Sequence, residues 1–227
     1  MKTLLAVLFL SVFSLHGAEV INAGIGGNRT TNLLKRVEKD VLAHNPTLVV
    51  MMAGTNDRLN SGGFVTIENY IKNVENLATQ IKASGASLIL MTPPPCIPEL
   101  LFSRHDPGKF ADQSPADRMI EVRKVLLKFA AEHNIPVIDF HQYLIDNNLA
   151  GPDEKSLLKN PANVGVKDGV HLTDPGYRRL AELVAEKIKS SSLDATKVVC
   201  FGDSLTKGPG QGKDYPSVLR TLLNEAD

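Results

Sequence analysis

The sequence contains no tryptophan, and aromatic residues make up only 5% of its 227 positions. Large aromatic platforms of the kind that stack against sugar rings are therefore not expected. Lysine plus arginine and aspartate plus glutamate each number 25, so the formal net charge is zero. The chain lacks the basic excess that would indicate nucleic-acid binding, and it lacks an acidic tail that would indicate a charged partner surface.

Cysteine is scarce too, with only Cys96 and Cys200 in the chain. Two cysteines form no disulfide framework, and Cys200 lies in an apolar run in which a buried, inert thiol is usual. We therefore do not expect a disulfide between them. The spacing of the histidine, cysteine and acidic residues also lacks the patterns of metal ligands, so no metal site is predicted.

A nearly unbroken apolar run, residues 4–13, stands near the start of the chain, but it is too short to span a bilayer. It follows Lys2 and precedes Gly17 and Ala18, a layout typical of a secretory signal peptide. We predict a signal peptide over residues 1–18 and a single exported domain, periplasmic or secreted, over residues 19–227. No cysteine follows the run, so a lipid anchor is not expected, and the shortness of the run argues against stable membrane insertion. The alternative is a buried N-terminal strand or helix.

The rest of the chain alternates apolar strands with amphipathic helices, and 43% of all residues are hydrophobic, enough for a sizeable core. The predicted strands are residues 20–23, 47–53, 87–91, 136–140 and 197–201. The predicted helices are residues 31–44, 66–84, 116–133, 174–190 and 215–224, and the polar stretches 96–113 and 150–167 are predicted as loops. The alternation indicates an α/β fold, a three-layer α/β/α sandwich with a five-stranded, mostly parallel sheet.

Glycine-rich turns follow three of the five predicted strands. Residues 24–28 (Gly-Ile-Gly-Gly-Asn), 54–57 (Gly-Thr-Asn-Asp) and 202–204 (Gly-Asp-Ser) each combine glycine with a hydrogen-bonding side chain. Ligands bind at the carboxyl ends of the strands in such sheets, so we expect the three turns to meet at one edge and to form the functional site.

Ser204 is the candidate nucleophile, because it stands on a tight turn after a strand. A serine hydroxyl needs a base, and His171 is the candidate because Asp168, three residues earlier, can orient its ring. His141 follows the fourth strand and stays an alternative, while His105 lies in the long loop, where it could line a substrate channel. The other histidines lie in the predicted signal peptide or at helix ends opposite the site: His16, His44 and His133.

At these residues the sequence resembles the GDSL/SGNH hydrolase family. Residues 202–206 (Gly-Asp-Ser-Leu-Thr) match its nucleophile block, and residues 26–30 (Gly-Gly-Asn-Arg-Thr) resemble its glycine block. Residues 54–57 match its asparagine block, and residues 168–171 (Asp-Gly-Val-His) match its acid–base block. The resemblance covers residues 19–227 and implies the flavodoxin-like fold of that family, with no metal or organic cofactor.

The resemblance also implies a role for each matched residue. Ser204 would attack an ester carbonyl, His171 would act as general base and then general acid, and Asp168 would orient the imidazolium. The backbone N–H groups of Gly27 and Ser204 and the side-chain amide of Asn56 would form the oxyanion hole.

The order of the blocks differs from the family, which normally begins with Gly-Asp-Ser. Here that block comes last, so we interpret the chain as circularly permuted, since joining Asp227 to Glu19 restores the usual order. This interpretation predicts that the last strand lies between the first and second strands, and that the first crossover passes over one strand position.

We therefore expect a serine esterase for short-chain, chiefly acetyl, esters, with a small molecule or a carbohydrate as the alcohol. Three residues near the blocks are expected to contact a polar or anionic substrate: Arg58, Arg104 and His105. The alternatives are a lysophospholipase or thioesterase, and a non-catalytic carbohydrate-binding protein on the same fold. The sequence does not indicate an oligomeric state.

Overall fold

The computed structural model describes residues 17–225, so the predicted signal peptide lies almost entirely outside the described residues. The strands and helices that it shows alternate along the chain, as the sequence predicts. Across residues 17–225, none of the helices combines the length and the apolar character that crossing a bilayer requires.

The described residues contain one five-stranded sheet in which every pairing is parallel. Its strands are β1 (Glu19–Gly24), β2 (Leu48–Met52), β3 (Ser87–Met91), β4 (Val137–Ile138) and β5 (Lys197–Gly202). Their spatial order is β1-β5-β2-β3-β4. The last strand therefore lies between the first two, as predicted, and the connection from β1 to β2 passes over it.

Helices cover both faces of the sheet and complete the predicted three layers. In chain order the helices are α1 (Thr30–Asp40), α2 (Thr55–Leu59), α3 (Ile67–Ala83), α4 (Pro98–Leu101), α5 (Pro115–Glu132), α6 (Phe140–Asp146), α7 (Pro161–Val164), α8 (Asp174–Ser190), α9 (Ser204–Lys207) and α10 (Tyr215–Asn224). Helices α1, α3 and α5 contribute buried apolar residues to the core on one face. Helices α6, α8 and α10 contribute to the core on the other face.

The long helices begin at residues whose side chains accept a backbone hydrogen bond. Thr66 accepts from Asn69 N–H at the start of α3, and Thr173 accepts from Gly176 N–H at the start of α8. Ser114 does the same for α5, which has proline in its first turn. Such caps satisfy backbone donors that a helix leaves unpaired, which is why these starts lie within a residue or two of their predicted positions.

Several element bounds differ from the sequence prediction. The fourth strand was expected over residues 136–140, but β4 has only two residues because Asp139 caps α6, accepting from Gln142 N–H at 3.3 Å. The predicted helix 31–44 ends at Asp40 and continues as a 3₁₀ turn over Leu42–His44. The two polar stretches expected as loops contain short helical turns: α4, a 3₁₀ turn over Pro107–Phe110, and α7.

The sheet brings three turns side by side at one edge. Gly24 at the end of β1 pairs in register with Gly202 at the end of β5, and Met52 at the end of β2 pairs with the same Gly202. A Cβ on Gly202 would collide with the carbonyl oxygen of Met52 and the hydroxyl of Thr206. Glycine at this position therefore allows the backbone at the end of β5 to approach β2 closely, which brings the three turns next to one another.

Candidate active site

Ser204 is the first residue of α9 and follows β5 after a single intervening residue, Asp203. The Asp203 side chain caps the turn by accepting from Leu205 N–H at 2.9 Å. The Ser204 backbone N–H donates to no acceptor within residues 17–225. Both the hydroxyl and the free N–H of Ser204 are thus held on a fixed turn at the edge where the strands end.

His171 connects Ser204 to Asp168 through hydrogen bonds on both ring nitrogens. Its Nε2 lies 3.0 Å from Ser204 Oγ, and its Nδ1 lies 2.9 Å from one Asp168 carboxylate oxygen and 3.1 Å from the other. The three side chains therefore form one continuous chain. Such a chain can transfer a proton from the hydroxyl to the imidazole while the carboxylate stabilises the imidazolium.

The Asp168 carboxylate is held in its ionised form. Burial alone would raise the pKa of Asp168, but hydrogen bonds from the His171 ring, from His171 N–H and from Val170 N–H bring it well below its usual range. The two backbone donors lie 2.8 and 2.9 Å from Oδ1. A carboxylate that accepts several hydrogen bonds resists protonation, so Asp168 stays negative beside the ring.

Gly169 makes the bend between Asp168 and His171 possible. Its φ is +74°, and a Cβ there would lie 2.8 Å from Ile97 O. Gly169 also exchanges backbone hydrogen bonds with its surroundings, donating to Lys159 O and accepting from Ile97 N–H, each at 2.8 Å. The loop that carries the imidazole is therefore anchored on two sides.

The predicted oxyanion donors lie on the turns beside Ser204. Gly27 has a φ of +77°, and its N–H donates to no acceptor in the described part of the chain. A Cβ placed on the preceding Gly26 would lie 3.9 Å from Ser204 Cβ, which shows how near this turn passes. The Asn56 amide Nδ2 donates to Asp203 Oδ2 at 3.0 Å, which fixes the orientation of the amide.

Asp203 is fully buried beneath these donors, and sequence reasoning did not assign it a role. Burial, with a smaller contribution from the nearby Asp57, raises the pKa of Asp203 to about 6, although hydrogen bonds from Leu205 N–H and Asn56 oppose the shift. Its place inside the Gly-Asp-Ser motif is the signal that could have identified it. Asp203 holds both the turn that carries Ser204 and the Asn56 amide.

A cavity of about 90 Å³ opens beside Ser204 and His171. Its lining residues are Thr55, Asn56, Leu59, Asn60, Leu101, Arg104, His105, Val170, His171 and Ser204. Three of them are apolar and lie in a small buried cluster: Leu59, Leu101 and Val170. Sequence reasoning did not identify these three, because they come from separate segments with no shared pattern.

Two of the three residues predicted to contact substrate lie at this cavity. Arg104 donates to Asp168 O at 2.9 Å, and His105 Nδ1 lies 2.9 Å from Ser61 Oγ. Arg58 does not line the cavity. The chain enters α2 at Thr55, and this turn directs Arg58 toward α5.

The guanidinium of Arg58 donates hydrogen bonds to groups away from the cavity. It donates to Val65 O at 3.1 Å, to Gln113 Oε1 at 2.8 Å and to Glu121 Oε2 at 2.7 Å. Arg58 therefore links α2 to α5, and its contact with a substrate stays a prediction.

His141, the alternative base, is buried, and it is not among the residues that line the cavity. Its backbone N–H donates to Thr92 Oγ1, and burial lowers the pKa of its ring. Cys96 and Cys200 are both buried free thiols. Within residues 17–225, no group of three or more histidine, cysteine or acidic side chains is arranged to hold a metal ion.

Comparison with known proteins places the chain in a family. The model of the GDSL-like lipase/acylhydrolase family matches residues 3–179. The lipoprotein YqeF of Bacillus subtilis is 25% identical over 179 residues, which are 72% of this chain and 71% of that protein. An acetylxylan esterase of Xylanibacter ruminicola is 25% identical over 159 residues, which are 66% of this chain but only 30% of that protein.

A crystal structure of the lipase/acylhydrolase from Enterococcus faecalis has the same fold, with a TM-score of 0.57 and 28% identity. The superposition covers 74% of each chain. The family model covers most of the sequence, and the parallel sheet flanked by helices agrees with the solved structure. The chain belongs to the GDSL-like lipase/acylhydrolase family.

Proposed function

We propose that the protein is a serine esterase that hydrolyses short-chain esters through Ser204, His171 and Asp168. The observation that carries the proposal is the unbroken hydrogen-bonded chain from Ser204 Oγ through both ring nitrogens of His171 to the Asp168 carboxylate. A hydroxyl, an imidazole and a carboxylate in this arrangement are the parts that nucleophilic ester hydrolysis requires.

In the proposed mechanism, His171 Nε2 takes the proton of Ser204 as Oγ attacks the ester carbonyl. The bond to the alcohol then breaks, and His171 returns the proton to the leaving alkoxide. Water, deprotonated by the same nitrogen, then attacks the acyl carbon; the bond to Ser204 Oγ breaks, and His171 returns the proton to Oγ as the acid leaves. Throughout, the Asp168 carboxylate accepts from Nδ1–H and stabilises the imidazolium.

Negative charge develops on the carbonyl oxygen in each tetrahedral intermediate. We propose that it is stabilised by the N–H groups of Ser204 and Gly27 and by the Asn56 amide. Neither backbone N–H has an acceptor within residues 17–225, and the amide is oriented by Asp203. One such donor is worth about 10²–10³ in rate, so preorganised donors supply much of the catalysis.

The size of the cavity favours a short acyl group, chiefly acetyl. Its volume of about 90 Å³ is smaller than the roughly 150 Å³ cavity that accommodates benzene. Apolar contact from Leu59, Leu101 and Val170 suits a methyl group rather than a charged one. The acetylxylan esterase among the relatives supports acetylated carbohydrate as the substrate class.

We propose that the protein acts outside the cytoplasm, at the cell envelope or beyond it. The apolar run at residues 4–13 has the layout of an export signal. The Bacillus subtilis relative is named as a lipoprotein, which also supports an envelope location.

The test is hydrolysis of p-nitrophenyl acetate, butyrate and octanoate by the protein and its Ser204→Ala variant. Ser190→Ala, which removes an exposed hydroxyl at the end of α8, is the matched control. We expect turnover that falls with chain length, a loss of at least about 10³-fold in Ser204→Ala and no loss in the control. Full activity in Ser204→Ala would contradict the mechanism. Faster octanoate cleavage would favour a lysophospholipase or thioesterase. No turnover of any of the three esters would favour a binding role.

We also propose that the chain order is a circular permutation of the usual order of the family. The family model stops at residue 179, before the block that carries Ser204. The Asn224 side chain donates to Ala18 O at 3.1 Å, so the two ends of the domain are adjacent. Adjacent ends on a surface make such a rearrangement physically tolerable.

A further inference from the structure

Arg36, on α1, binds oxygens near the ends of β1 and β5 and a side-chain oxygen on the turn that contains Gly27. Its Nη2 donates to Gly202 O at 2.7 Å, and its Nη1 donates to Ala23 O at 2.9 Å. Its Nε donates to Asn28 Oδ1 at 2.8 Å. An ion pair with Asp40, one helical turn further on, completes the set at 3.1 Å.

The guanidinium of Arg36 is held firmly in this position. Only 12% of its side chain is exposed, and its central carbon lies 4.6 Å from the centre of the Phe201 ring. Phe201 is part of β5, so Arg36 packs against the strand that leads to Ser204. A planar guanidinium that lies over an aromatic ring and donates hydrogen bonds from all three of its nitrogens has little freedom to move.

The oxygens that Arg36 binds lie close in sequence to two of the proposed oxyanion donors, the N–H groups of Gly27 and Ser204. Gly202 precedes Ser204 by two residues, while Ala23 and Asn28 flank the turn that contains Gly27. The backbone pairing of the two strands ends at Gly24 and Gly202. Beyond that point, Ile25 N–H donates to Gly202 O at 3.1 Å, the same oxygen that Arg36 binds.

We propose that Arg36 is a positioning residue that fixes the distance between the Gly27 N–H and Ser204. This inference rests on the proposed function, because it concerns the oxyanion hole of that reaction. The donor matters most when charge has developed on the carbonyl oxygen, so its displacement weakens binding of the transition state more than binding of the ester. Loss of Arg36 therefore lowers kcat and leaves KM nearly unchanged.

The test compares Arg36→Met, Arg36→Lys and a matched control, Arg179→Met, in p-nitrophenyl acetate hydrolysis. Arg179 is also a part-buried helical arginine over an aromatic ring, 5.0 Å from the centre of Tyr143, but it pairs with Glu182 and Glu186 on α8. We expect kcat to fall about 10- to 100-fold in Arg36→Met, with KM changed less than about twofold. The control should keep kcat within about twofold.

Two further readouts separate positioning from general damage to the fold. A lysine ammonium cannot donate to three separated oxygens as the guanidinium does, so Arg36→Lys should recover only part of kcat. Added guanidinium ion, at concentrations that leave the wild type folded, should raise kcat of Arg36→Met and leave Arg179→Met unaffected. If Arg36→Met does not fold, Asn28→Ala removes one of the three acceptors of Arg36 that lie outside α1, and it should lower kcat several-fold with KM unchanged.

The outcomes for this inference and for the proposed function are distinct. Wild-type turnover that Ser204→Ala abolishes, together with unchanged kcat in folded Arg36→Met or in Asn28→Ala, overturns the role of Arg36 alone. A raised KM at constant kcat also overturns it, because that result would indicate an effect on ester binding. Absence of turnover in the wild type overturns the proposed function and this inference with it.

Discussion

Asp203 is a buried carboxyl group whose ionisation is unfavourable in the folded protein. Burial raises its pKa to about 6, whereas an exposed aspartate in the unfolded chain titrates near 3.9. The folded state therefore binds this proton more tightly than the unfolded state does. Its contribution to the free energy of unfolding is fully present below about pH 4 and is lost as the pH rises through about 6.

We predict that Asp203→Asn changes this pH dependence, because an amide remains neutral at every pH. Two pKa units correspond to about 3 kcal/mol at pH 7, and loss of an acceptor for Leu205 N–H or Asn56 offsets about 1 kcal/mol. The variant should gain stability relative to the wild type as the pH rises from 4 to 7. Urea unfolding of both proteins across this range measures the difference, and a constant difference would contradict the assignment.

The residues of the proposed triad could be predicted from local sequence, while their surroundings could not. The three-residue spacing of Asp168 and His171 places carboxylate and ring together within one bend, as the 2.9 Å distance confirms. The orientation of Arg58 could not be predicted, because it depends on where α2 begins and on two acceptors, Gln113 Oε1 and Glu121 Oε2. Those acceptors lie more than fifty residues away, and no local pattern reveals them.

Among the elements, the long helices could be predicted and the short ones could not. The helices α3, α5 and α8 have an apolar face and a capping residue, and both signals are local. The turns α4 and α7 have only four residues each, too few to show a period of 3.6. The position of α4 depends on a contact with a distant loop, the bond from Ile97 N–H at the start of this helix to Gly169 O.

The loop from Asp168 to His171 provides a prediction at this scale. Gly165 and Gly169 have nearly the same positive φ, +73° and +74°, but a Cβ on Gly165 meets nothing within 4 Å. On Gly169 it would meet Ile97 O at 2.8 Å and Leu100 Cβ at 2.9 Å. Gly165→Ala should therefore cost about 1–2 kcal/mol of unfolding free energy from backbone strain alone.

Gly169→Ala should cost more than this, by about 1–3 kcal/mol, because the added methyl group must displace the segment at Ile97. It should also lower kcat, since the displaced loop carries His171, whereas Gly165→Ala should leave kcat unchanged. Thermal unfolding and p-nitrophenyl acetate turnover of the pair measure both effects. Equal stability and equal kcat in the two variants would show that the contact with Ile97 does not determine the conformation of the loop.

At the scale of the whole molecule, the order of the strands in space could be predicted although their order in the chain is unusual. The expectation that β5 lies between β1 and β2 came from the order of the motifs, and the sheet confirms it. The result is physically reasonable because the proposed active site needs three neighbouring strand ends, whatever the order of those strands along the chain. We therefore expect tertiary contacts, rather than chain connectivity, to determine this architecture.

A reordered chain tests that argument directly. Opening the loop between Leu193 and Asp194 and joining Asp227 to Ala18 gives a chain that begins with β5. The break preserves two hydrogen bonds beside it, from Leu193 N–H to Ile188 O and from Thr196 N–H to the Asp194 carboxylate. The new join spans little distance, because Asn224 already contacts Ala18.

We predict that the reordered chain keeps kcat/KM within about threefold of residues 18–227 in the present order. Its free energy of unfolding should change by no more than about 2 kcal/mol, since loop-closure entropy depends only weakly on loop length. A second chain with the same join but opened between Val50 and Met51, inside the buried strand β2, should not fold because the break removes sheet pairing. Activity assays and urea unfolding of the three chains measure these effects. If the chain opened at Leu193 fails to fold while the present order folds, then connectivity, and not only the set of tertiary contacts, is required to specify the structure.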